Sequence, residues 1–154
     1  MQFTFDVFKN IRPFFKNYIE KNTLDDLNNI PEGFNNNIIW NIGHILVTTQ
    51  ILTYKLSGLP MHVSETMVNT YSKGRKPEVP VSQDEVTHIN HLLSTTMKQL
   101  EADYLNGVFK NYRPYTVSTT GNTLTNIDEA LQFALFHESI HLGYLLALIR
   151  AVKN

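Results

Sequence analysis

FHESIHLGYLLALIR, residues 136–150, decides how the rest of the chain is read. It opens with His137, Glu138 and His141 in the spacing H-E-x-x-H, which in a helix sets two imidazoles one turn apart on one face. The surrounding apolar stripe runs Ile127, Ala130, Ala134, then His137 and His141, then Leu145 and Leu148. Both histidines therefore fall on the line that faces a core. Chance is a poor source of the motif: this composition gives ~0.01 matches in a chain of this length. Three readings remain: a metalloprotease, a metal site of another kind, or two histidines satisfied within a core. The protease reading needs a third ligand, which zincins take from downstream. Here the tail LGYLLALIRAVKN offers no His, Asp, Glu or Cys, and no edge strand is evident to hold an extended peptide. A third ligand must come from earlier in the chain.

Working outward, four segments carry helical periodicity. The first, about residues 2–22, has Phe5, Phe8, Ile11, Phe15 and Ile19 at spacings of three and four, with Pro13 as a candidate kink. The second runs from about Ile38 to Ser57, after the breaker-rich IPEGFNNN, and stops at Gly58. A third opens at a capping box, Ser82 answered by Glu85, and continues to about Asn106 and Gly107. The last begins near Thr125 or Asn126, with Asp128 and Glu129 at the positive end of its dipole. Two long connections, 59–81 and 108–124, are rich in turn formers and show no clear strand alternation. Four amphipathic helices and 154 residues predict one all-α domain spanning 1–154, a four-helix bundle, and bundle cores are where such folds build metal sites.

Helical phase also sorts the other histidines. Trp40, Val47 and Ile51 lie at minus four, plus three and plus seven from His44, so His44 points inward from the second helix. Three inward imidazoles need partners, and one shared metal ion satisfies them together. His88 and His91 instead share a stripe with Asp84, Glu85, Thr95 and Gln99, a face that belongs to solvent. His62 has no identifiable partner. Glu138 points about 100° around the helix from His137 and is either a base or the outer partner that fixes the tautomer of a ligand such as His44. Gly43 and Gly143 read as sites of close helix approach. In the second connection, Tyr112, Arg113 and Tyr115 are candidates for binding a carboxylate-bearing substrate, whereas Lys73, Arg75 and Lys76 read as a solvated turn.

Composition narrows the chemistry. With 13 Lys+Arg against 14 Asp+Glu and no long block of either sign, a nucleic-acid stripe is not expected. No cysteine is present, so histidine and carboxylate are the strong ligand types, and any thiol chemistry needs a thiol supplied as cosubstrate. The N-terminal MQFTFDVFKN lacks a basic-then-apolar leader and nowhere do 18 apolar residues run together, so the expectation is a cytoplasmic protein with no membrane segment.

NIIWNIGHIL (37–46), YSKGRKP (71–77) and FHESIHLGYLLALIR (136–150) together resemble the DinB/YfiT-like superfamily, over essentially the whole chain. The most specific element is one histidine on the second helix and an H-x-x-x-H pair on the last, followed by glycine; the family's metal triad would then be His44, His137 and His141. Where the family often has Gln after that glycine, this chain has Tyr144. The resemblance implies an up-up-down-down four-helix bundle, frequently a homodimer, with one divalent ion such as zinc or nickel per chain. It also implies transfer of a low-molecular-weight thiol such as bacillithiol or mycothiol to an electrophile. Hydrolysis by water activated at the metal, or a non-catalytic metal-binding bundle, are the alternatives.

Overall fold

The computed structural model describes residues 1–153, and the chain is all-α in class. Its elements are α1 (Gln2–Lys21), α2 (Leu24–Asn28), α3 (Ile38–Gln50), α4 (Glu65–Tyr71), α5 (Gln83–Leu105) and α6 (Ile127–Lys153). A two-residue hairpin, β1 (Tyr115–Thr116) antiparallel to β2 (Thr123–Leu124), lies between α5 and α6. The long helices follow the sequence expectation closely. Ser82 caps α5 through the Glu85 amide, although the expected box is only half formed because the Glu85 carboxylate accepts from the Tyr71 hydroxyl instead. Gly58 and Gly107 end their helices at positive φ, 73° and 63°, where a side chain would be strained. α1 runs through Pro13, which sits on the exposed face, where the Lys9 carbonyl that loses its helical donor can meet water.

The long helices pack side by side in the cyclic order α1–α5–α3–α6. α3 is buried on nearly every face from Ile38 to Val47, which is why its sequence is apolar all round rather than along one stripe. Side-chain pairs fix the relative senses. Lys9 meets Glu101 while Lys16 meets Ser94, so α1 and α5 are antiparallel. Asn41 meets His141 while Thr49 meets Glu138, so α3 and α6 are antiparallel. Phe5, Phe8, Ala130 and Ala134 share one apolar cluster, whereas Phe15, Leu145 and Leu148 share the other, so α1 and α6 run together. The senses are thus up, down, down, up, which corrects the up-up-down-down expectation. The chain reverses after α1 and after α5, and only the long segment carrying α4 crosses over to return it in the same sense.

Three local features were not anticipated. α2 stands between the first helix and the breaker-rich IPEGFNNN, where no element was expected, and α4 stands inside the first long connection; they are opened by Thr23, in a capping box with Asp26, and by Ser64. The second long helix does not stay α-helical: Ile51–Lys55 is a π-helical turn. There the Thr53 hydroxyl donates to the Thr49 carbonyl at 2.7 Å, competing for an acceptor the α-helical ladder would use. The hairpin packs Val117 and Leu124 into the apolar cluster that holds Phe5 and Phe8, although neither strand is long enough to show alternation.

α6 is long and apolar enough, by length and composition, to cross a membrane. Its inward face nevertheless carries His137, Glu138 and His141, and the last two make hydrogen bonds to α1 and α3, the construction of a helix that serves a protein core.

Candidate metal centre

α3 and α6 cross at the histidines. The ring centroids of His44 and His137 lie 5.1 Å apart, those of His44 and His141 4.9 Å, and those of His137 and His141 4.5 Å. One nitrogen from each ring falls within 4.8 Å of the others. Sequence phase placed all three inward, and the structure brings them together.

Neighbouring groups hold each ring in a defined state. Asn37 caps α3 by accepting the Trp40 amide at 2.9 Å, and Trp40 then stacks on the His44 ring, centroids 4.9 Å apart and planes within 8°. His44 Nδ1 donates to the Tyr71 carbonyl at 2.6 Å, which makes Nε2 the acceptor nitrogen; the Thr48 hydroxyl approaches it at 3.4 Å, in the position a cation would take. Tyr71 reaches that position because residue 43 is glycine: a Cβ there would lie 2.5 Å from its ring. The Tyr71 hydroxyl is fixed in turn by Glu85. On α6, His141 Nδ1 donates to Asn41 Oδ1 at 3.0 Å. That amide is oriented by its own donations to Asn36 Oδ1 at 2.9 Å and to the Asn37 carbonyl at 2.8 Å. His137 differs, because its Nδ1 is buried without a hydrogen-bond partner among the described residues.

Burial keeps the cluster uncharged. It pushes His137 down to about 3, helped by the charges His141 and His44 would carry, and His141 down to about 4, with His44 contributing. Burial also lowers His44, against the raising effect of its bond to Tyr71. Three neutral imidazoles, two with the distal nitrogen tethered and one with an orphaned nitrogen, are the donor set a divalent cation requires, and burying them without one leaves polar atoms unmet. The residues present fit a metal ion.

Glu138 lies on the same helix but serves another site. It is wholly buried and accepts from Arg12 Nε at 3.0 Å, from the Arg12 terminal nitrogen and from Thr49 Oγ1 at 3.0 Å. Arg12 also contacts the Leu93 carbonyl at 3.4 Å. Burial raises the Glu138 carboxyl, with Arg12 and Thr49 acting in the opposite direction. The outer partner expected of Glu138 at His44 is instead the Tyr71 carbonyl.

A cavity of about 180 Å³ opens beside His44 and His137 and is bounded by Ile51, Leu52, Lys73, Val117 and Phe133 among others. Of the substrate-binding candidates, Tyr115 lines it. Tyr112 stands behind it, its hydroxyl donating to the Leu52 carbonyl at 2.9 Å. Arg113 does not reach it: its amide bonds the Leu56 carbonyl at 2.7 Å and its side chain lies with Lys55 and Gly58 on another surface. Lys73, read as part of a solvated turn, borders the cavity instead. His88 and His91 are exposed, as their stripe indicated. His62 stacks edge-on against Tyr54 and lies 3.8 Å from Asp103.

Arg12, Asn41, Thr49 and Tyr71 were the supporting residues not singled out from sequence. Arg12 alone carried a signal, since it follows Phe8 by four and precedes Phe15 by three on an otherwise apolar stripe. Asn41 stands one turn before His44, but polar residues on helices are common and spacing does not say which one turns inward.

No curated protein matches the chain. The model of the DinB superfamily matches residues 9–145, a span that includes His44, His137 and His141, and the chain belongs to the DinB superfamily.

Proposed function

We propose that the protein is a metal-dependent enzyme that transfers a low-molecular-weight thiol, of the bacillithiol kind, to an electrophilic substrate, using one zinc or nickel ion held by His44, His137 and His141. The observation that carries this reading is the neutral histidine cluster, two of whose members, His44 and His137, line a small cavity. A cation bound there supplies Lewis acidity, which favours the thiolate form of a thiol that reaches it. The protein's own residues do the rest. Trp40, Tyr71 and Asn41 hold His44 and His141 in orientation, and the apolar wall of Ile51, Leu52, Val117 and Phe133 excludes water from the reacting groups.

Transfer is favoured over hydrolysis by the state of Glu138. The carboxylate that H-E-x-x-H hydrolases use as a base is here engaged by Arg12 and Thr49, and thiol transfer needs no side-chain base once the thiol is ionised. The cavity beside the histidines likewise speaks for catalysis over a closed structural site. The domain is read as one DinB-type four-helix bundle over residues 1–154 and as a homodimer. Support for the dimer is the outward face of α6, where Phe136, Ile140, Tyr144 and Leu146 are exposed and a Cβ at Gly143 would meet none of the described residues within 4 Å.

The test uses tag-free protein. Metal analysis should find close to one divalent ion per chain, and His44→Ala, His137→Ala and His141→Ala should each lose it; unchanged content in all three removes the assignment. The metallated protein is then assayed with bacillithiol, mycothiol and glutathione against a general electrophile. Ester or amide turnover without thiol would replace transfer by hydrolysis.

A further inference from the structure

The cavity walls divide by chemistry. Ile51, Leu52, Val117 and Phe133 make an apolar side, and none of the described residues lining it is acidic. Apart from the histidines, the one ionisable cation among the described residues lining it is Lys73. That lysine follows α4 on the turn whose Gly74 takes φ 86°, and its ammonium donates to Ser118 Oγ on the far side of the opening, just after β1. Among the described residues Lys73 has no carboxylate partner. An ammonium has three donors, so two remain for a ligand, beside a hydroxyl already oriented towards them.

We propose that Lys73 and Ser118 recognise the carboxylate of a small amphipathic acid, whose apolar part lies against Phe133 and Val117 and whose other end faces His44 and His137. The proposal rests on the reading of this cavity as the reactant site and assigns the charge and size of what it takes. A volume of about 180 Å³ equals roughly six waters at ~30 Å³ each, which limits the bound portion to a short chain. The apolar wall makes the ion contact stronger than it would be in open water, while the partial exposure of the ammonium keeps it modest.

The test separates the carboxylate from the thiol and the metal. Butyrate and butyramide, equal in size and different in charge, are titrated into metal-free protein at low ionic strength and followed by amide chemical shifts. Butyrate should bind about tenfold tighter, with the largest shifts at Lys73, Ser118 and Val117. Lys73→Met should abolish that preference without weakening butyramide, and Lys73→Arg should keep it. Lys73 is exposed, so unchanged melting is expected of both variants. Equal affinities in the wild type, no binding of butyrate, or a preference that survives Lys73→Met would each overturn the proposal. A second arm uses 3-mercaptopropionate and its amide on the metallated protein. If both bind the metal equally, the carboxylate site fails while thiol transfer stands. If neither binds the metal but butyrate is still preferred in the first arm, transfer fails and the carboxylate site stands.

Discussion

At the residue scale the two helix-interior glycines are the sharpest contrast. Both read from sequence as points of close approach, but only Gly43 is one: a Cβ there meets the Tyr71 ring at 2.5 Å, whereas one at Gly143 meets nothing within 4 Å. Gly43→Ala should therefore displace Tyr71, release the carbonyl that holds His44 and cost stability, on the order of 1–3 kcal/mol as an overpacked core does. Gly143→Ala should stabilise the monomer by up to about 1 kcal/mol through helix propensity alone. Urea midpoints check both. A stability loss at Gly43 without a weakened metal affinity would mean that Tyr71 does not position His44. What separates the two glycines is a tertiary contact from α4, a helix hidden in an apparent loop, so no local feature of the sequence distinguishes them.

At the element scale the Arg12–Glu138 pair sets how α6 is docked. Along every long helix, membership of the apolar clusters changes at this layer: Phe8 to Phe15 on α1, Val47 on α3 to Leu52 on the π-helical turn that continues it, Leu93 to Met97 on α5 and Ala134 to Leu145 on α6. The pair, with Thr49 and the Leu93 carbonyl, joins all four. Because Glu138 and His137 are adjacent, holding the carboxylate in place also fixes the rotation of α6 that presents the histidines. Removing one partner leaves a buried charge unmet, so Arg12→Met or Glu138→Leu alone should destabilise by roughly 3–5 kcal/mol. The double variant should recover most of that loss, since well-packed apolar residues can replace a buried ion pair. A double-mutant cycle in urea measures the coupling, and additive losses would show that the two side chains do not act as a pair. Much of this element-scale order was legible. Periodicity located the four long helices and the inward phase of three histidines, because a repeat of 3.6 is local information. Their relative senses, the π-helical turn at Ile51–Lys55 and the partner of Glu138 were not, because each depends on which surface another helix presents.

At the scale of the whole molecule, the outward face of α6 and the acid response make separate demands. If that face is buried between two chains, Phe136→Glu together with Ile140→Glu should turn a dimer into a monomer in sedimentation velocity, with the metal retained because neither residue lies at the histidines. The acid response follows from the cluster itself. In the unfolded chain the three imidazoles titrate near an ordinary value of about 6.5; in the folded protein burial holds His137 at about 3 and His141 at about 4, with His44 also lowered. Above about pH 6.5 both states are neutral at these positions and the histidines add no slope. Below it the unfolded chain takes up protons that the metal-free native state refuses, so stability falls as pH falls, by up to about 1.4 kcal/mol per pH unit for each imidazole. The loss continues until the folded values near 4 and 3 are reached, where the native state is protonated too. Denaturant midpoints of the metal-free protein between pH 7.5 and 4.5 should record that slope, and His137→Ala should reduce it by about one proton. Metal binds only the neutral rings, so the metallated protein should be more stable than the metal-free protein from neutral pH downward. It should lose that advantage only as pH falls towards the folded values near 4 and 3, where the native rings take up protons and release the ion. A metal-free protein whose midpoint is flat from pH 7.5 to 4.5 would show that these imidazoles are solvated, and with it that α3 and α6 do not close over them.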